Sequence, residues 1–191
     1  MQIVKISMLV PMERSSLAGR SLGEKHFPFY FSKVQETQVE EFIVWDFEGV
    51  SHASASYLSA TVGALLGMAN SGLMNRYFAF SGVERDTMDD LQIILSTEGL
   101  VSFEILRYEP LEIRRIGTRL DEVFERTFAL LEQRGPSSAE DLMSGTDEKI
   151  VKTAWLNRLN QLHRMRLVRR IKENREFIFL PAYKTWEAVY G

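Results

Sequence analysis

A chain of 191 residues with 45% hydrophobic content has enough apolar material for one large or two small cores. It contains no cysteine, which excludes disulfides, thiolate zinc sites and cysteine nucleophiles and fits a reducing compartment, so cytoplasm is the expected location. The net charge of −3 is not that of a general polyanion binder.

Met1 to Val10 is apolar but carries Lys5, and it lacks the long apolar region and cleavage site of a secretory signal. Ile3 to Val10 is read as a strand. From Met12 to Val39 the pattern is least clear: Leu17 to Leu22 suits a short helix, and Phe27 to Phe31 either an aromatic edge strand or the start of another helix. Phe42 to Phe47 is a near-continuous apolar run of the kind buried in mid-sheet. A helix is expected over Ser54 to Asn70, with Leu58, Val62, Leu65 and Ala69 as its apolar stripe and Gly72 beyond its end; Ser54 or Ser56 would cap or begin it. Leu58 to Ala69 is too short and too interrupted by glycine to cross a bilayer, and no run reaches the ~18 apolar residues that a membrane span needs.

Tyr77 to Phe80 reads as a further strand. Asp86 to Glu98 reads as a helix capped by Asp86 or Thr87, with Met88, Leu91 and Leu95 on one face and Gly99 at the C′ position. Val101 to Leu106 returns to strand. The alternation predicts an α/β fold, a sheet with packed helices. Pro110 to Gly117 punctuates the chain into two domains, 1–116 and 117–191.

In the second domain, Leu120, Val123, Phe124, Thr127, Phe128 and Leu131 form one helical face ending near Gly135-Pro136. Ser137 and Glu140 have the spacing of a capping box at the start of a second helix. A third helix is expected from Asp147 to Met165, striped by Val151, Trp155, Leu159 and Leu162. Leu167 to Lys172 and Glu176 to Leu180 then read as a hairpin. The order is that of a small α+β winged-helix domain.

Charge is concentrated in that domain. Between Lys149 and Arg175 there are nine basic residues and one acidic residue, Glu173, a local charge of +8. Such a segment in a mildly acidic chain is the footprint of a phosphate-facing surface, although a solvated basic helix has the same composition. At ~100° per residue, the helical face opposite Trp155 presents Lys149, Thr153, Asn157, Asn160 and Arg164. Arginine and asparagine can pair bidentately with guanine and adenine edges, while Lys149, Arg169, Lys172 and Arg175 are suited to phosphates.

Two resemblances sharpen these expectations. Asp46-Phe47-Glu48-Gly49-Val50, followed after three residues by Ser54-Ala55-Ser56-Tyr57-Leu58, resembles the STAS (sulfate transporter and anti-anti-sigma) superfamily and its bacterial STAS-like relatives. There, an Asp-x-x-x-Val strand end leads to an Asp-Ser-Ser-Gly-Leu helix start. Asp46, Val50, Ser56 and Leu58 match, whereas Ser54 stands for Asp, Ala55 for the first Ser and Tyr57 for Gly. Leu17 to Gly23 is similar to the relatives' leading Arg-x-x-Gly segment. The resemblance covers residues 14 to 108. It implies a protein-interaction module in which Ser56 is phosphorylated by an anti-sigma-type kinase.

Ala129 to Leu142 and Leu156 to Arg170 resemble the leading helices, and the recognition helix with first wing strand, of winged helix-turn-helix domains. That likeness covers residues 118 to 182 and implies binding to double-stranded DNA. Many such domains bind palindromes as dimers, which leaves a homodimer open.

No catalytic motif competes. His26, His52 and His163 are scattered, with no HExxH, phosphate-binding loop, Gly-x-Ser-x-Gly or dinucleotide fingerprint, so no metal, cofactor or enzymatic activity is expected. The expected function is a DNA-binding transcription regulator carrying a STAS-like domain; the alternative is a protein-only adaptor in a phosphorylation-dependent partner-switching pathway, with the winged helix as a docking surface.

Overall fold

The computed structural model describes residues 3–9, 16–39 and 41–184. The chain is mixed α/β and divides into two compact units, Gln2–Arg119 and Leu120–Gly191. Val10, the last residue of the first expected strand, and Met12 to Ser15 lie outside the described residues.

The first unit is built on a five-stranded sheet of order β1-β3-β5-β6-β7. Strands β1 (Ile3–Ser7), β3 (Phe42–Asp46), β5 (Tyr77–Ser81) and β6 (Val101–Arg107) run parallel; β7 (Glu112–Gly117) returns antiparallel to β6. Parallel strands need crossover connections, which here are helical. They are α1 (Arg20–Glu36), a long helix of three segments, and α4 (Arg85–Thr97). The three segments are α2 (Ala55–Leu58), a π-helical turn over Ser59–Gly63, and α3 (Ala64–Asn70).

Strands β3 and β5 are apolar throughout because both faces of mid-sheet are buried. Ile43 and Trp45 of β3 align with Phe78 and Phe80 of β5. They join Tyr30 and Val34 of α1, Leu58, Val62, Leu65 and Ala69, and Leu91 and Leu95 of α4 in one core. Phe42, Val44, Tyr77, Ala79 and Phe103 alternate with them on the opposite face and are also buried.

The expected short helix at Leu17 to Leu22 is instead a bridge followed by a long helix. β2 (Ser16–Leu17) pairs with β4 (His52–Ala53), and α1 then runs from Arg20 through Phe27 to Phe31. Gly23 and Pro28 lie inside α1, two residues with poor helix propensity that hid it from pattern reading. Packing overrides them: a Cβ on Gly23 would come within 2.8 Å of the Ala60 Cβ and 2.9 Å of the Tyr57 carbonyl oxygen, so α1 and α2 meet where only glycine fits. The N-cap of α4 is Glu84, not Asp86 or Thr87.

β7 lies where the sequence suggested the boundary between two domains, and the first unit runs on to Arg119. The end of β7 depends on Gly117, at φ 98°, where a side chain would run into the Leu100 carbonyl.

The second unit has the order α5 (Glu122–Arg134), β8 (Ser137–Ser138), α6 (Ala139–Ser144), α7 (Lys152–Arg164), β9 (Val168–Glu173) and β10 (Glu176–Pro181). Its strands form an antiparallel sheet of order β8-β10-β9. Phe128, Leu131, Leu142, Trp155, Leu159, Leu162, Val168 and Phe179 are buried, whereas Val123 of the expected apolar face is 44% exposed.

The capping box of α6 is Ser138 with Asp141, one residue beyond the expected Ser137 and Glu140. Ser137 pairs with Phe179 in the sheet and donates to the Gly135 carbonyl, which leaves Ser138 to end the strand and start the helix. α7 begins at Lys152 rather than Asp147, because Ile150 N–H closes a tight turn onto the Glu148 carbonyl. Among the described residues, no helix is long and apolar enough to cross a membrane.

Candidate functional site

The serine turn is a scaffold with one outward hydroxyl. Ser54 is the N-cap: its Oγ accepts from Tyr57 N–H at 3.4 Å and from Gly19 N–H at 3.0 Å. Both lone pairs are then used, and its own O–H is free to donate to Ser56 Oγ, 3.3 Å away. Ser56 itself is exposed.

Asp90 of α4 accepts from Ala55 N–H at 2.9 Å, and Thr87 Oγ1 accepts from Ala53 N–H at 2.9 Å. The positive end of α2 thus already faces a carboxylate. Sequence reasoning missed Asp90. Its spacing of three from Thr87, which sets both on one face of α4, is the signal that could have found it. Asp46, the other anchor of the motif, accepts from Ser81 Oγ–H at 3.1 Å and Glu48 N–H at 3.3 Å, tying the ends of β3 and β5.

The basic segment divides by what each cation touches. Lys152 Nζ lies 2.5 Å from Glu140 and 2.8 Å from Glu176, and those hydrogen bonds, Glu140 first, hold its ammonium above the ordinary lysine range. Arg158 is bound to Glu148 at 2.7 Å and lies over the Trp155 ring. Arg169 donates from Nε to the Ala182 carbonyl at 2.8 Å, which ties it to the strand-end backbone. Arg170 donates to Asn160 Oδ1 at 3.0 Å.

Of the five others, Arg166 is half-buried just beyond the end of α7; the other four are Lys149, Arg164, Lys172 and Arg175. All four are exposed and meet no carboxylate among the described residues. Thr153, Asn157 and Arg164 share the exposed face of α7, with Asn160 half-buried beside them. Lys149 is not on that helix but in the loop before it. Lys172 is the penultimate residue of β9, and Arg175 sits in the two-residue turn to β10, where Asn174 takes φ 53°, a left-handed conformation that asparagine tolerates. Of the eight predicted contact residues, two, Asn160 and Arg169, are engaged within the unit, and the other six form no side-chain hydrogen bond or ion pair among the described residues. Aromatic Phe177, 39% exposed on β10, was not anticipated.

Among the described residues no group of histidine and carboxylate side chains gathers to hold a metal ion. No protein-family model matches the chain, and no curated protein or solved structure matches it.

Proposed function

We propose that this chain is a cytoplasmic, non-enzymatic regulator whose second unit, a winged-helix domain, binds double-stranded DNA, and whose first unit is a STAS-like protein-interaction module. The observation that carries it is the set of exposed cations Lys149, Arg164, Lys172 and Arg175, unpaired among the described residues, around a helix face offering Thr153 and Asn157. Unpaired cations displace counterions from a phosphate backbone without first breaking an internal ion pair, whereas hydroxyl and amide groups suit base edges.

Anisotropy of a labelled duplex across a salt series tests it. Affinity is expected to fall steeply with salt, and an Arg164→Ala/Lys172→Ala variant to lower the log–log slope by about 2, at ~0.9 per phosphate contact. Absence of binding to any duplex at low salt overturns it.

A second function is favoured by the outward hydroxyl of Ser56: phosphorylation by a partner kinase in a partner-switching pathway. A phosphate there would bring about −1.5 to −2 of charge beside Asp90. Intact-mass measurement on protein from its native host checks it; absence of a phosphorylated fraction in every growth condition counts against it.

A further inference from the structure

Arg20 and Ser56 share one mouth of the first unit. Gly19 N–H, the amide just before Arg20, donates to Ser54 Oγ at 3.0 Å, and Ser56 Oγ lies 3.3 Å from that same oxygen. Arg20 also lines, with Glu24, Phe27, Ser59, Ala60 and Ala64, an open concavity of about 330 Å³ between α1 and the π-helical turn. Ser59 and Ala60 follow Ser56 by three and four residues, the spacing that stacks side chains on one helix face. Arg20 therefore stands over the side of the helix from which Ser56 projects.

The guanidinium of Arg20 is lightly held. It meets Glu24 at 3.9 Å, with both side chains mostly exposed, and such a pair is worth little in water. The other carboxylates nearby have partners of their own: Asp90 accepts from Ala55 N–H at 2.9 Å, and Glu98 from Ser59 Oγ–H at 2.8 Å. They make the surroundings of Ser56 negative, so a dianion placed there is stable only beside a cation.

Deepening the phosphorylation function proposed above, on which it rests, we propose that Arg20 receives the phosphate of a phosphorylated Ser56. The modification transfers the γ-phosphoryl group of a nucleoside triphosphate. The bond from Ser56 Oγ to phosphorus forms, the bond from phosphorus to the diphosphate leaving group breaks, and the hydroxyl proton passes to a base of the kinase. The resulting phosphate takes the two-pronged guanidinium fork, which Arg20 withdraws from Glu24 at little cost. It then bridges the starts of α1 and α2 and covers the concavity, so that modification closes this part of the surface to a partner.

The test uses the full chain with phosphoserine installed at position 56 during translation, beside the unmodified chain, each as wild type, Arg20→Lys and Arg20→Ala. Phosphorus NMR follows the second ionisation of the phosphate, ordinarily at about 6, and thermal unfolding follows the first unit. Arg20→Ala is expected to raise that ionisation by roughly one pH unit, because the dianion loses its neighbouring cation. It should also lower the unfolding temperature of the phosphorylated chain more than that of the unmodified chain. Arg20→Lys should lie between, since it keeps the charge without the fork.

An ionisation that Arg20→Ala leaves unmoved overturns the proposal, as does an equal loss of unfolding temperature with and without phosphate. So does unfolding of the wild-type chain when the phosphate is installed. If Arg20→Ala fails to fold in both forms, Arg20→Gln, which keeps the aliphatic stem, takes its place. No kinase enters the experiment, so its outcome is read separately from that of the intact-mass measurement, whose failure removes the kinase function.

Discussion

The hydroxyls of Tyr30 on α1 and Tyr57 on α2 lie 3.1 Å apart, both side chains fully buried. Tyr30 donates to the Met8 carbonyl at 3.0 Å, so its oxygen is left to accept from Tyr57. Tyr57 in turn accepts from His26 Nδ1, 2.9 Å away, which places a proton on that nitrogen. One directed chain thus ties α1, α2 and the end of β1, and Tyr57 is the neighbour of Ser56.

Burial raises the pKa of both phenols above the ordinary tyrosine range, and for Tyr57 the Tyr30 hydrogen bond raises it further. Below the unfolded value of ~10 both states are protonated and the network contributes fully. Above it, the unfolded chain releases protons that the folded chain retains, so stability is expected to fall by up to about 1.4 kcal/mol per pH unit for each tyrosine. Phenolate absorbance should therefore show these two groups ionising only as the first unit unfolds. A Tyr30→Phe variant should have a shallower alkaline decline; an unchanged decline would mean that other groups govern it.

Gly23 sits at the same helix contact. Gly23→Ala introduces a methyl 2.8 Å from the Ala60 Cβ and 2.9 Å from backbone oxygen, neither at the end of a flexible side chain. Overpacking of this kind costs about 1–3 kcal/mol, more than the propensity gain of ~1 kcal/mol from replacing a helical glycine. Urea unfolding followed by amide exchange in α1 should show a lower midpoint; a rise would mean that the helices separate without cost.

The central strands were legible because burial on both faces leaves a continuous apolar signature, as in Phe42–Asp46 and Tyr77–Ser81. The helical stripe at Leu58, Val62, Leu65 and Ala69 was legible because each of those residues is buried. α1 was not, since Gly23 answers to Tyr57 and Ala60, distant in sequence, and not to its neighbours. The same holds for the site. Charge counting found the basic segment, but only partners elsewhere in the chain, such as Glu140, Glu148 and the Ala182 carbonyl, separate spent cations from free ones.

Ser138 and Ser137 make a neighbouring pair with different work. Ser138→Ala removes the cap of α6 and is expected to cost about 1 kcal/mol, with faster exchange at the Asp141 amide that its hydroxyl accepts. In Ser137→Ala the capping box is intact, so that amide should keep its protection. Equal loss of protection in both variants would show that the box does not hold the helix start.

Arg169 and Lys172 belong to one strand and carry one charge each, yet under the proposed DNA-binding function they should behave oppositely. Arg169 is held by the Ala182 carbonyl, so Arg169→Ala leaves a buried-edge acceptor without its charged donor and is expected to lower stability by about 1–3 kcal/mol. Its effect on the slope of log affinity against log salt should be close to nil. Lys172 is exposed and touches no carboxylate among the described residues. Lys172→Ala should leave thermal unfolding unchanged and reduce the slope by ~0.9, equally on every duplex sequence, because a phosphate contact carries no base preference. If instead Arg169→Ala lowers the slope and Lys172→Ala does not, the phosphate track crosses the strand end near Ala182 rather than the hairpin tip.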